Sequence, residues 1–255
     1  KDFSPDVLYV NTVAALQFVH ANLDIFDPVR KFLHCHEMPW SIDRYVRGKV
    51  GDVFTLFDGI VVVNNWIRRF FVDRGISESR ILLVTEYFQN ELAIEWSARP
   101  IFTVVGAGLG SWRKGIDLFL QTAFQLSRIY DAPFLFKWAG VVPELVLSQC
   151  KKDVEAMGMG NRVEFTGEVN NMSAVLKDSD VFLLSSREDS YPIVMLEAAS
   201  FGLPILYFDQ TGGASDFIDD TDLAVPPYDV FGMAQKIKQL AKDKTYLRLK
   251  GDGLP

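Results

Sequence analysis

At 255 residues, 49% hydrophobic and 23% charged, the chain is long enough for one large domain or two smaller ones, and its composition excludes the disordered, collagen-like and small disulfide-bonded classes. A net charge of −7 and a pI near 5.0 argue against nucleic acid as the main partner, while leaving room for a local anion site. Two widely separated cysteines, Cys35 and Cys150, suit a reducing compartment. No apolar run approaches the roughly 20 residues that span a bilayer, so a cytoplasmic protein is expected, at most peripheral on the inner face of a membrane.

Along the chain, short apolar runs alternate with amphipathic stretches. Val7–Asn11, Lys31–Cys35, Gly59–Asn64 and Arg80–Thr85 read as buried strands. Asn65–Arg74 reads as a helix, with Trp66, Ile67, Phe70 and Phe71 on one side, a cap at Asn64 or Asn65 and a stop at Gly75. Core packing with solvated arginines is preferred over a membrane-surface helix there. Tyr87–Pro100 breaks the rhythm. Strands then follow at Ile101–Gly106, Phe134–Gly140, Arg162–Gly167, Val181–Ser186, Pro204–Asp209 and Leu223–Pro227. Helices are expected at Gly115–Ile129, Val142–Met157, Met172–Lys177, Met195–Phe201 and Phe231–Asp243. Strands alternating with helices imply an α/β protein with parallel sheets. The expected layout is one domain over 1–92, a linker over 93–100 and a second domain over 101–255. The second is a complete doubly wound unit. The first lacks an opening strand–glycine loop–helix unit, so residues are expected to be absent at both ends.

The segment Ser185–Ile205, SSREDSYPIVMLEAASFGLPI, carries the most chemistry. A strand delivers the chain to a loop holding Glu188 and Asp189, and the loop enters a helix holding Glu197. Ligands of open α/β sheets bind beyond the carboxyl ends of the strands. Two carboxylates would thus converge there with backbone N–H groups from Ser190, Tyr191, Ile193 and Val194, and Pro192 suits the helix start. An ionised carboxylate accepts hydrogen bonds from two vicinal hydroxyls at once. Val104–Leu120, VVGAGLGSWRKGIDLFL, holds Gly106, Gly108 and Gly110 between a strand and a helix. A dinucleotide fingerprint is disfavoured, because Ser111 stands where its third glycine belongs and the next strand ends in Ala139-Gly140. Arg113 and Lys114 precede the helix. Cations are unfavourable at a positive helix end unless a diphosphate reverses the sign.

These motifs resemble the acidic-x7-acidic signature of the retaining family-4 glycosyltransferases of GT-B fold, with LEAASFGLPI (Leu196–Ile205) matching the family's tail. The resemblance implies two Rossmann-like domains facing a cleft. It implies a nucleoside-diphosphate sugar as donor, a glycan or lipid-linked acceptor, retention of configuration, and no metal or other cofactor. Its implied roles are ribose binding by Glu197, sugar binding by Asp189 with the Ser190–Val194 backbone, and phosphate binding by Lys114, with Arg113 a weaker transfer. Glu188 stands as an alternative to Asp189, the family's usual acid being Glu. In LHCHEMPW (Leu33–Trp40), His34 and His36 share a strand face. A metal site there lacks third and fourth ligands. The resemblance instead sets His36 toward the donor sugar. The D-x-D of Asp178–Asp180 lies at the amino end of a strand and reads as a solvated turn. A non-catalytic module of the same fold, binding a nucleotide, a glycan or a partner subunit, is the competing reading.

Overall fold

The computed structural model describes residues 5–22, 29–46, 53–88 and 99–252. The chain divides into two compact units, Lys1–Glu86 and Tyr87–Pro255. Residues 93–98 of the expected linker lie outside the described residues.

The first unit is a four-stranded parallel sheet in simple chain order: β1 (Val7–Val10), β2 (Arg30–Cys35), β3 (Gly59–Val62) and β4 (Ile81–Leu83). Among the described residues its helices include α1 (Leu16–Ala21), α2 (Pro39–Val46) and α3 (Asn65–Val72). Leu33, Ile42, Phe54, Ile60, Ile67 and Phe71 form the buried centre. Asn64 caps α3, its side-chain oxygen accepting the Ile67 N–H at 2.7 Å. Ile67, Phe70 and Phe71 are buried on α3 as expected, but Trp66 is partly exposed. It lies about a quarter turn from the centre of the buried arc, at the edge of the apolar stripe. The arginines behave as solvated surface groups: Arg68 pairs with Glu78 at 3.2 Å, and Arg74 lies 3.6 Å from the centroid of the Phe70 ring.

The second unit is a six-stranded parallel sheet. Its strands are β5 (Phe102–Ala107), β6 (Phe134–Ala139), β7 (Val163–Phe165), β8 (Val181–Leu184), β9 (Ile205–Phe208) and β10 (Ala224–Val225), in the order β10-β9-β8-β5-β6-β7. The helices are α4 (Ile116–Ser127), α5 (Glu144–Ala156), α6 (Met172–Lys177), α7 (Ile193–Ser200), α8 (Ala214–Phe217), α9 (Val230–Lys242) and α10 (Lys244–Asp252). Strands β8 and β9 are buried at every position, which is why they read as unbroken apolar runs rather than alternating ones. Phe119 of α4 meets Phe136 and Trp138 edge-on, at centroid distances of 5.0 and 5.3 Å. Gly106 is small for the sake of this cluster, since a Cβ there would stand 2.8 Å from the Phe119 ring. Helices α8 and α10 are additions to the sequence expectation. The first is only one turn long, and the second is held by charge, its Lys250 reaching Asp220 and Asp222 at 2.5 and 3.0 Å.

The chain runs outward from β5 to β7, then returns to β8 on the other side of β5. The strand order therefore reverses between β5 and β8, and the loops leaving their carboxyl ends flank a natural crevice. At the opposite, amino end lies the D-x-D, and here the expectation needs correcting. Asp178 is exposed, but Ser179 and Asp180 are buried. The Asp180 carboxylate accepts the Thr103 N–H at 2.8 Å and the Arg99 guanidinium at 3.2 Å, while the Ser179 carbonyl accepts Arg99 at 2.9 Å. These bonds fasten β8 to the start of β5, so the second acid is a structural clamp rather than part of a solvated turn. Asp180→Ala should lower stability by about 1–3 kcal/mol, because it strands the buried Thr103 N–H and removes the acid partner of Arg99. Urea unfolding of the two proteins checks this.

Candidate functional site

The loop after β5 is drawn onto β6. Gly108 N–H donates to the Ala139 carbonyl at 2.9 Å, Gly110 N–H to the Val141 carbonyl at 2.8 Å, and the Trp138 indole to the Gly108 carbonyl at 3.1 Å. The loop then turns toward β8. Gly115 adopts a left-handed conformation, φ 65°, at the start of α4, and a Cβ there would collide with the Ser185 carbonyl oxygen. Backbone and side chains join the two loops on either side of this contact. Arg187 N–H donates to the Arg113 carbonyl at 2.8 Å, Ser185 Oγ to the Lys114 carbonyl at 3.2 Å, and Arg113 Nη1 to the Glu188 carbonyl at 2.9 Å. Arg187 forms a two-pronged pair with Asp117 of α4, at 2.8 and 2.7 Å.

Asp189 is the anchor of the β8 loop. Its N–H donates to the Thr211 carbonyl and its carbonyl accepts the Gly213 N–H, each at 3.0 Å. The carboxylate is 8% exposed. It accepts Lys114 Nζ in a close ion pair and Ser186 Oγ at 3.1 Å, with Arg113 Nη1 at 4.0 Å. Glu188, Ser190 and Tyr191 lie in the same loop, and Tyr191 is buried against Phe217.

A cavity of about 520 Å³ opens at this end of the sheet. Of the expected site residues, Gly108, Lys114, Pro192, Ile193, Val194 and Glu197 line it. Gly110, Arg113, Glu188, Asp189, Ser190 and Tyr191 do not. Pro192 is the cap residue of α7 and Ile193 its first helical position, so the helix begins two residues earlier than expected and brings its first turn to the cavity wall. Burial pushes the Glu197 carboxyl above its ordinary value. Other lining residues were missed in the sequence, among them Leu109, Val141, Glu168, Val169 and Met172. The signal for it was present, since Val141 and Glu168 lie two and three residues beyond the ends of β6 and β7, where the same strand-end rule applies.

His36 belongs to the first unit, at the carboxyl end of β2. Its ring nitrogens face Glu86 Oε1 and Asn11 Oδ1, each at 3.1 Å. His34 bonds to the Tyr9 hydroxyl at 2.7 Å through Nδ1, and its ring lies 3.9 Å from that of His36.

Residues 99–243 match the family profile described as glycosyl transferases group 1. The chain is 23% identical over 180 residues to the GalNAc-alpha-(1->4)-GalNAc-alpha-(1->3)-diNAcBac-PP-undecaprenol alpha-1,4-N-acetyl-D-galactosaminyltransferase of Campylobacter jejuni, across 69% of this chain and 48% of that protein. It is 27% identical over 194 residues to the alpha-galactosylglucosyldiacylglycerol synthase of Streptococcus pneumoniae, across 68% and 50%. The chain thus spans about half the length of these two relatives. Among solved structures it resembles TarM with a TM-score of 0.81 at 17% identity, over 96% of this chain and 50% of that one. It resembles Anabaena Alr3699/HepE in complex with UDP-glucose with a TM-score of 0.82 at 16% identity, over 97% and 72%. At such identities the likeness is one of fold: two Rossmann-like parallel-sheet units of the GT-B type.

The raised Glu197 carboxyl carries a signed consequence for stability. A folded-state value above the unfolded one stabilises below the unfolded value, and that contribution is lost as pH rises through the folded value. Glu197→Gln should therefore melt higher than the parent at pH 7, with the gap closing as pH falls into the carboxylate range. Thermal unfolding across pH checks this.

Proposed function

We propose that this chain, which belongs to the group 1 glycosyl transferases, binds a nucleoside-diphosphate sugar in its second unit and takes part in moving the sugar to a glycan or lipid-linked acceptor. The observation that carries the reading is the single cavity shared by Lys114, Glu197 and the first turn of α7. Each lining group suits one part of such a donor. The half-buried Glu197 carboxylate accepts hydrogen bonds from the two ribose hydroxyls, which offsets the water it has lost. Lys114 Nζ and the free N–H groups at the start of α7 take the diphosphate. Leu109, Val141 and Ile193 offer apolar surface to the base.

On the strength of the motif, the transferred sugar is assigned to the β8 loop with Glu188, and His36 is read by itself as a substrate-facing group of the first unit. Family 4, retention of configuration and metal independence belong to the same proposal. Without a metal, the charge leaving with the nucleoside diphosphate is stabilised by Lys114, Arg113 and the α7 N-terminus. The relatives, by name one transferase onto an undecaprenol-linked glycan and one glycolipid synthase, support a lipid-linked acceptor and a role in cell-surface glycan or glycolipid synthesis. No helix among the described residues is long and apolar enough to cross a membrane.

Calorimetry with UDP, GDP, ADP and TDP, paired with nucleoside-diphosphate release from the matching sugars, tests the reading. One nucleotide should bind. Lys114→Ala should weaken it about ten- to a hundredfold, the value of one charge-assisted hydrogen bond. Unchanged affinity in Lys114→Ala would overturn the phosphate assignment. Binding without turnover on any acceptor would favour the non-catalytic module.

A further inference from the structure

Three strand ends of the first unit converge on one imidazole. Asn11 directly follows β1, His36 directly follows β2, and Glu86 follows β4 by three residues. Glu37, next to His36 in sequence, is not the partner. Its carboxylate accepts the Val13 N–H at 3.2 and 3.1 Å and the Thr12 hydroxyl, and so is spent capping the turn after β1. Glu86 takes its place, with Oε1 at 3.1 Å from His36 Nδ1.

We propose that Glu86 is a positioning residue that fixes His36 as the Nδ1–H tautomer and so leaves Nε2 as the working nitrogen. This rests on the reading of His36 as a substrate-facing group. The chemistry is asymmetric. An ionised carboxylate only accepts, so the nitrogen facing it must carry the hydrogen. The other nitrogen faces an amide, which can present either its oxygen or its NH2 by rotating about its last bond. The Glu86 contact is therefore directional and the Asn11 contact is adaptable. Asn11 is also exposed, whereas His36 and Glu86 are each about one-third exposed. A sugar hydroxyl arriving at Nε2 displaces a surface amide and leaves the Glu86 bond intact. The neighbouring ring supports the geometry without competing for it. Burial, then the charge of His36, holds His34 below its ordinary value, and the Tyr9 hydroxyl occupies its Nδ1. Residue–imidazole–carboxylate order of this kind is how an orienting acid selects a tautomer in other active sites.

The test needs no known substrate for its first half. The chain has three histidines, so long-range proton–nitrogen NMR of the imidazoles at about pH 8, where ordinary histidines are neutral, resolves each tautomer. His36 should appear as Nδ1–H, and Glu86→Gln, whose amide can donate or accept, should show a mixture of tautomers. An Nε2–H ring in the parent, or an unchanged ring in Glu86→Gln, would overturn the positioning role. For the second half, kcat for glycosyl transfer in Glu86→Gln should fall about tenfold or more with KM held within about twofold, as befits loss of orientation rather than of binding. A His36→Ala variant with parental turnover would instead overturn the reading of His36 itself, leaving the NMR result to stand or fall separately.

Discussion

The contact on which the second unit's site depends is the backbone approach of Gly115 to the Ser185 carbonyl. Only a residue without a side chain, in the left-handed conformation, brings the start of α4 that close to the end of β8. Everything around it follows from this proximity. The Arg187 N–H reaches the Arg113 carbonyl, Ser185 reaches the Lys114 carbonyl, and the Lys114 side chain reaches Asp189. A methyl group at Gly115 would force the two loops apart. The switch point of the sheet is thereby closed into a wall rather than left as an open gap between strands.

That wall is electrically organised. Lys114 and Asp189 are both largely buried, and a buried pair repays its lost hydration only when its other hydrogen-bonding capacity is also met. Ser186 and the nearby Arg113 meet that condition for the carboxylate. Lys114 has a second face, because it also lines the cavity. Its charge is thus shared between an acid of the scaffold and the space where an anionic ligand would lie. Asp189 makes the lysine stiff as well as charged, and pre-organised charge is worth more to a reaction than charge that must first be assembled. The motif pointed to Asp189 as a sugar contact. In the structure its carboxylate is buried against Lys114 and supports that side chain.

The first unit reaches a comparable arrangement differently. Its strands run in chain order and offer no switch point within the sheet. Polar groups gather instead because the loops after β1, β2 and β4 leave at one end, and His36 is the residue long enough and bifunctional enough to take a bond from two of them.

Much of this was legible in the chain itself. Continuous apolar runs such as Val181–Leu184 identified buried parallel strands, because a strand covered on both faces has no polar alternation to show. Asn64 and Gly75 bracketed α3 because capping is a local matter. Lys114 and Glu197, picked out in the sequence near the starts of the helices that follow β5 and β8, both line the cavity. Helices α1, α2, α8 and α10 went unread, and α8 and α10 have short or charged sequences whose helicity depends on what they dock against. Partners were less legible than positions. Asp180 looked like surface and proved to be a clamp. By itself the sequence determined the strand and helix rhythm, the parallel α/β class and the residues at the strand ends, all of which are governed by interactions within a few residues. Only the tertiary structure decided which carboxylate meets which cation, that Asp189 holds Lys114 across 75 residues and Glu86 holds His36 across 50. Those pairings are set by which strands lie side by side, and strand order is a property of the whole sheet.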